Sequence, residues 1–176
     1  VGALVIGNAD LESFRKELRE GLRDLGHIEG QNILFEFRSA EGILDRLPGL
    51  AAELVRLKSD VIVALYTPCG IAAKEATREI PIVLVTGDPL ATGLVASLAR
   101  PGGNATGLSM MAAEMPGKLV ELLHDLLPTM RTAAVLTNAA DPVFEKLVLQ
   151  QVEPASRITG IEIQPIVDLA ADQRQR

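Results

Sequence analysis

The sequence predicts an α/β fold: a doubly wound parallel sheet arranged in two lobes, the first complete and the second truncated. Three observations carry this reading. Short apolar runs alternate with amphipathic stretches along most of the chain, the pattern of repeated strand–helix units. The run at residues 61–65 is apolar throughout, as suits a strand covered on both faces. Arg100-Pro101-Gly102-Gly103-Asn104 is the clearest punctuation in the chain, and a new strand–helix series follows it.

The elements follow in order. Val1-Gly2-Ala3-Leu4-Val5-Ile6 reads as the first strand. Leu11, Phe14, Leu18, Leu22 and Leu25 then recur at three- and four-residue spacing among charged residues. That spacing predicts an amphipathic helix over residues 11–26, with Asp10 as its N-cap and Gly26 just past its end. A turn through Glu29-Gly30-Gln31 leads to residues 32–38, whose partial alternation suits a strand near a sheet edge. A helix over 47–58, the strand 61–65, a helix over 70–78, a strand over 82–85 and a helical stretch over 91–98 follow. Such regular alternation implies right-handed crossovers within one parallel sheet.

Beyond the Pro-Gly-Gly turn the sequence predicts a helix over 114–127 with Pro116 in its first turn, a strand over 133–136, a long helix over 143–159 and a strand over 161–167. Pro154 is expected to kink or divide that long helix. The expected division is a first lobe at 1–108 and a partial second lobe at 109–176, with exposed apolar surface where the second lobe lacks further strands.

Composition removes several function classes. With 176 residues, 48% of them hydrophobic, the chain can bury one good core and part of another. A net charge of −6 argues against a surface built to neutralise phosphates, so no nucleic-acid partner is expected. The apolar runs are strand-length, shorter than a membrane span requires. One cysteine, Cys69, and two distant histidines, His27 and His124, offer neither a disulfide framework nor zinc-ligand spacing. Neither G-x-G-x-x-G nor a P-loop motif occurs, and no metal or cofactor is expected. The chain opens inside a strand, with no initiator methionine, basic region or cleavage site, so any export signal is expected to lie outside it.

In an open parallel sheet, ligands bind outside the carboxyl ends of the strands, where strand order reverses. That rule selects the loops Gly7-Asn8-Ala9-Asp10, Tyr66-Thr67-Pro68-Cys69-Gly70 and Thr86-Gly87-Asp88-Pro89. Thr67-Pro68 leads into a helix whose first N–H groups and dipole favour an anion. A ligand carboxylate can rest on those amides and the Thr67 hydroxyl, or Thr67 can simply cap a helix that Pro68 starts. Asp88 can receive a ligand ammonium or order its own turn. Tyr66, the only tyrosine, can stack on a ligand or serve as half-buried packing. Asn8 and Asp10 follow the first strand, where turn and cap duties compete with ligand contact. Asn138 and Asp141 can close from the second lobe, although Asp141-Pro142 also reads as an ordinary helix start. Cys69 at a helix start can be an activated thiol or an inert buried residue, and no histidine partner is apparent. Ser97 and Ser109 lack the nucleophile-elbow context, so no catalytic residues are assigned.

These residues form an ordered series. It runs through Gly21-Leu22-Arg23-Asp24-Leu25-Gly26, Glu29-Gly30-Gln31-Asn32-Ile33, Asp45-Arg46-Leu47-Pro48 and Thr67-Pro68. It continues through Ile80-Pro81-Ile82-Val83, Gly87-Asp88-Pro89, Gly93-Leu94-Val95-Ala96-Ser97-Leu98-Ala99-Arg100-Pro101-Gly102-Gly103-Asn104 and Thr106-Gly107-Leu108-Ser109. The series resembles the ABC-transporter substrate-binding protein family that includes tryptophan- and other aromatic amino-acid-binding members. The likeness covers most of residues 1–138. It implies a type 1 periplasmic-binding-protein fold, an amino-acid-like small molecule held between two lobes, and delivery to ABC permease subunits. It also implies a monomeric, non-enzymatic protein that is periplasmic or otherwise extracytoplasmic, free or lipid-anchored. By the same resemblance Asn8, Thr67 and Asp88 face the cleft from the first lobe and Asn138 from the second. Cys69 departs from the family's usual small residue, and Pro154 interrupts a helix that normally runs through. The alternative function is a sensory module of the same fold, in which ligand-driven closure signals to a protein partner.

Overall fold

The structure is a computed structural model that describes residues 1–7, 11–110, 115–138 and 141–168. Its first sheet is formed by β1 (Gly2–Val5), β2 (Glu36–Ser39), β3 (Ile62–Leu65), β4 (Ile82–Thr86) and β5 (Ala105–Ser109). These five strands run parallel in the order β2-β1-β3-β4-β5. Every residue of β1 and β3 is buried, which explains why both strands read as apolar with little alternation. The helices α1 (Leu11–Asp24), α2 (Leu47–Arg56) and α3 (Thr67–Ala76) connect them. Right-handed crossovers put α1 on one face and α2 and α3 together on the other.

The core lies between the sheet and α2 and α3. Leu4, Leu54, Ile62, Ile82 and Leu84 are each at most 1% exposed, and burying such a side chain contributes on the order of 2 kcal/mol. The edge strand β2 is held differently, through aromatic and charged contacts. Phe14 of α1 meets Phe37 edge-on at 6.5 Å, the Arg15 guanidinium lies 4.5 Å from the Phe37 ring centre, and Arg38 pairs with Glu53 of α2 at 3.0 Å.

The second sheet contains β6 (Thr132–Asn138) and β7 (Glu162–Asp168), parallel and in register from Thr132↔Glu162 to Asn138↔Asp168. Helices α4 (Met115–Leu126) and α5 (Pro142–Thr159) accompany it. Val120, Val152, Ala155 and Ile161 form its small core. Leu136 and Ile166 on the strands, and Leu119, Leu122 and Leu126 on α4, are exposed.

Two expectations need correction. Residues 91–98 form turns and bends, not a helix. Gly93 has a positive φ of 72°, while Leu94 and Val95 are buried with irregular backbone. Lys74 of α3 serves that backbone, its Nζ donating to the carbonyls of Leu94 at 2.7 Å and Gly93 at 3.3 Å. Second, α5 continues through Pro154 as one element, so the helix is not divided there. Pro154 is exposed while its neighbours Val152 and Ala155 are buried, so the ring and the carbonyl it frees fall on the solvent side. Beyond the Pro-Gly-Gly turn, Ala105-Thr106-Gly107-Leu108-Ser109 forms the fifth strand of the first sheet. Its glycine has a reason: a Cβ at Gly107 would lie 2.0 Å from the Leu84 carbonyl oxygen.

Candidate ligand site at the carboxyl edge of the first sheet

Because all five strands of the first sheet are parallel, their carboxyl ends share one edge. Strand order reverses at β1, which has β2 on one side and β3 on the other. The rule for open parallel sheets therefore selects the loops after β1 and β3 as the candidate ligand site. Asn8 and Asp10 lie in the first of these loops, outside the described residues.

Tyr66 occupies the second. It is the N-cap of α3, with φ 72° and ψ 160°, a region that is essentially glycine-only and costs about 1–3 kcal/mol for other residues. Its amide donates to the Val85 carbonyl at 2.9 Å, which locks the kink against β4. The chain then turns directly into α3, with Thr67 as the first helical residue and Pro68 following it. Gly70 is the first residue whose amide finds a helical acceptor, the Tyr66 carbonyl at 3.1 Å. Pro68 has no N–H, so helix geometry leaves the amides of Thr67 and Cys69 without an intrahelical acceptor.

The capping reading of Thr67 does not hold. The cap position belongs to Tyr66, whose side chain makes no capping hydrogen bond. Thr67 is 0% exposed, and its Oγ1 has no hydrogen-bond partner among the described residues. Cys69, also fully buried, is an inert thiol. Burial first and the negative charge of Asp141 second push it up to about 12 from an ordinary 9.0. Its thiolate fraction at pH 8 is on the order of one in ten thousand. Native protein is expected to resist iodoacetamide at pH 8 and to react fully once unfolded in guanidinium, as read by intact mass. Rapid labelling of the native form would contradict the assignment. The raised value also sets a sign: the stability this thiol contributes is whole below about 9 and is lost as pH rises toward about 12.

At the end of β4, Asp88 realises its turn-ordering role. Its Oδ1 accepts from the amides of Leu90 at 3.1 Å and Ala91 at 2.8 Å, and Thr92 donates to its carbonyl at 2.8 Å. Two residues at this edge were given no ligand role in the sequence reading. Thr86, the last residue of β4, is fully buried with an Oγ1 that also lacks a partner among the described residues. Ser109, the last residue of β5, pairs with it across the ladder. The available signal was a hydroxyl residue closing consecutive parallel strands.

From the second sheet, Asn138 ends β6, and Asp141 precedes α5 with its carbonyl accepting from the Glu145 amide at 2.9 Å. α5 touches α3, and the Asp141 charge adds to the rise in the Cys69 pKa. A separate groove of about 750 Å³, lined by Ile71, Lys74, Arg78, Thr92, Leu94 and Asn104, lies on the flank of α3. Its lysine is committed to the Gly93 and Leu94 carbonyls. The described residues contain no group of three or more metal-ligating side chains and no helix long and apolar enough to cross a membrane.

A parallel sheet whose strand order reverses at β1, followed by a second α/β unit, is the architecture of a type 1 periplasmic binding protein. Comparison with known proteins agrees. Residues 1–140 match the family described as ABC transporter substrate binding protein. The chain is 33% identical over 160 residues to a tyrosine-binding protein of Clostridioides difficile, covering 90% of this chain and 46% of that one. A conserved domain protein from Vibrio cholerae superposes with a TM-score of 0.83 at 29% identity, covering 96% of this chain and 56% of that one. An ABC domain from Streptococcus pneumonia in complex with L-Trp shares the fold, with a TM-score of 0.77 at 24% identity and coverage of 94% and 56%. The chain spans about half the length of these relatives. It belongs to the ABC transporter substrate-binding protein family.

Proposed function

We propose that this chain carries the main ligand-gripping lobe of an extracytoplasmic solute-binding protein that serves an ABC importer. In this reading residues 1–108 form the first lobe and 109–176 part of the second, and an amino-acid-like ligand sits between them. Its carboxylate is held by the α3 amides of Thr67 and Cys69 and by the Thr67 hydroxyl, with Tyr66, Pro68 and Asp88 shaping the first-lobe wall. Asn8, Asp10 and Asn138 complete the contact set from the neighbouring loops. The observation that carries the reading is Thr67 itself, a buried hydroxyl without a partner at a helix start beside the strand-order reversal. A buried polar group costs free energy unless something bonds it, and a ligand oxygen supplies that bond.

The protein acts by binding and delivery, with no chemistry on the ligand. Its partners are the small molecule and the permease subunits, and the full-length form is monomeric. The tyrosine-binding relative and the L-Trp complex make aromatic amino acids the first solutes to try. Isothermal titration of the full-length protein with the twenty amino acids tests this. Micromolar or tighter binding of at least one, with the ligand recovered unchanged, is expected. Binding of none would overturn the assignment.

A further inference from the structure

Three non-glycine residues among those described have a positive φ: Glu41, Lys58 and Tyr66. Glu41 and Lys58 are exposed turn residues. Tyr66 is half-buried, and its φ of 72° with ψ of 160° falls in the region that glycine alone occupies without strain. Glycine at this position would hold the same kink, with its amide still donating to the Val85 carbonyl. The backbone geometry therefore gives no reason for a tyrosine, and the reason lies in its side chain. We infer that the Tyr66 ring is the selectivity element of the ligand site, favouring amino acids with a flat aromatic side chain over aliphatic ones of similar size. This inference deepens the binding role proposed above and rests on it.

The surroundings of Tyr66 support this role. It follows β3, next to the reversal of strand order at β1, and precedes Thr67, whose fully buried hydroxyl has no partner among the described residues. A ligand oxygen resting on Thr67 would bring the rest of the ligand within reach of the neighbouring ring. Tyr66 packs against the core cluster of the first sheet while part of the residue stays accessible, so its ring is held in place before a ligand arrives. The remaining aromatic residues lie elsewhere: Phe14, Phe35 and Phe37 pack together beside α1 and β2, and Phe144 belongs to α5. No other loop that follows a strand of the first sheet contains an aromatic residue. A ligand ring stacked on Tyr66 gains more than the apolar area it buries, whereas an aliphatic side chain gains the area alone. The competing role, core packing, separates by its effect. It would lower stability in variants without the ring and weaken every ligand alike.

The test titrates the full-length protein with L-phenylalanine, L-tyrosine and L-tryptophan, set against L-leucine and L-methionine. Wild type is expected to bind at least one of the aromatic amino acids more tightly than either aliphatic one. Tyr66→Ala and Tyr66→Gly both remove the ring, and each is expected to narrow that preference by about 2- to 12-fold, the equivalent of one aromatic pair. The conservative Tyr66→Phe, which restores the ring, is expected to restore the preference. Thermal melts without ligand establish that each variant folds, and they read the strain separately. The glycine variant should melt above the alanine variant, which lacks the ring but keeps the unfavourable φ. Folded alanine and glycine variants with the wild-type preference, or a wild type that binds the aliphatic amino acids as tightly as the aromatic ones, would overturn the role of Tyr66 and leave the proposed binding function standing. A glycine variant that melts no higher than the alanine variant would remove the strain and the inference drawn from it. A wild type that binds no amino acid would remove the binding role and this inference together.

Discussion

Thr67→Val is expected to separate binding from stability, weakening the amino-acid ligand by about 10- to 100-fold while holding or raising the melting temperature of the unliganded protein. The hydroxyl is fully buried and unpartnered, so in the empty state it contributes only its desolvation cost, about 1–3 kcal/mol. Valine keeps the branched shape and removes that cost. In the proposed liganded state the same hydroxyl gains its acceptor, so valine forfeits a charge-assisted bond. Calorimetric titration and thermal melts on one preparation read both effects. A variant that melts lower and binds as tightly as wild type would reverse the assignment, making Thr67 a packing residue alone.

Gly107→Ala is expected to cost about 3 kcal/mol or more in urea unfolding, the high end for a single substitution. The added Cβ would lie 2.0 Å from the Leu84 carbonyl oxygen and 2.6 Å from its nitrogen. Backbone cannot yield there without parting β4 from β5, which the pairing Leu84↔Gly107 joins. The damage would spread to the loop after β4, because Ser109 hydrogen-bonds the Gly87 carbonyl at 3.5 Å. Gly49→Ala is the matched control. It lies in α2 with nothing within 4 Å of its added Cβ, and is expected to stabilise by up to about 1 kcal/mol through helix propensity. Equal effects at the two positions would refute the steric account.

What the sequence made legible follows from where hydrophobic periodicity speaks. β1, β3 and β4 are short apolar runs, and their order along the chain is enough to anticipate a parallel sheet and the three loops at its carboxyl edge. β5 is different, since Ala105-Thr106-Gly107-Leu108-Ser109 has little β-forming character. It is a strand because β4 offers an open edge and Gly107 permits the approach. Residues 91–98 misled for the opposite reason. Their composition suits a helix, but Asp88 orders a turn, Gly93 takes a positive φ and Lys74 satisfies the loop carbonyls from outside. At the site, the loops were readable but the states of their residues were not. The Tyr66 kink, the unpartnered Thr67 and Thr86 hydroxyls, and the approach of Asp141 to Cys69 all depend on tertiary neighbours.

The two sheets differ in how much they bury, and this bears on how the chain opens. Leu4, Leu54, Ile62, Ile82 and Leu84 anchor the first sheet, whereas Val120, Val152, Ala155 and Ile161 are the buried residues of the second cluster. Amide protons in β1 and β3 will therefore exchange with solvent only through global opening, while those of β6 and β7 escape through a cheaper, partial one. Of the proposed contacts, Asn138 sits on the side that opens first and Thr67 on the side that opens last. A ligand spanning them would slow exchange in the second sheet far more than in the first, so its grip would register as protection in the weaker half.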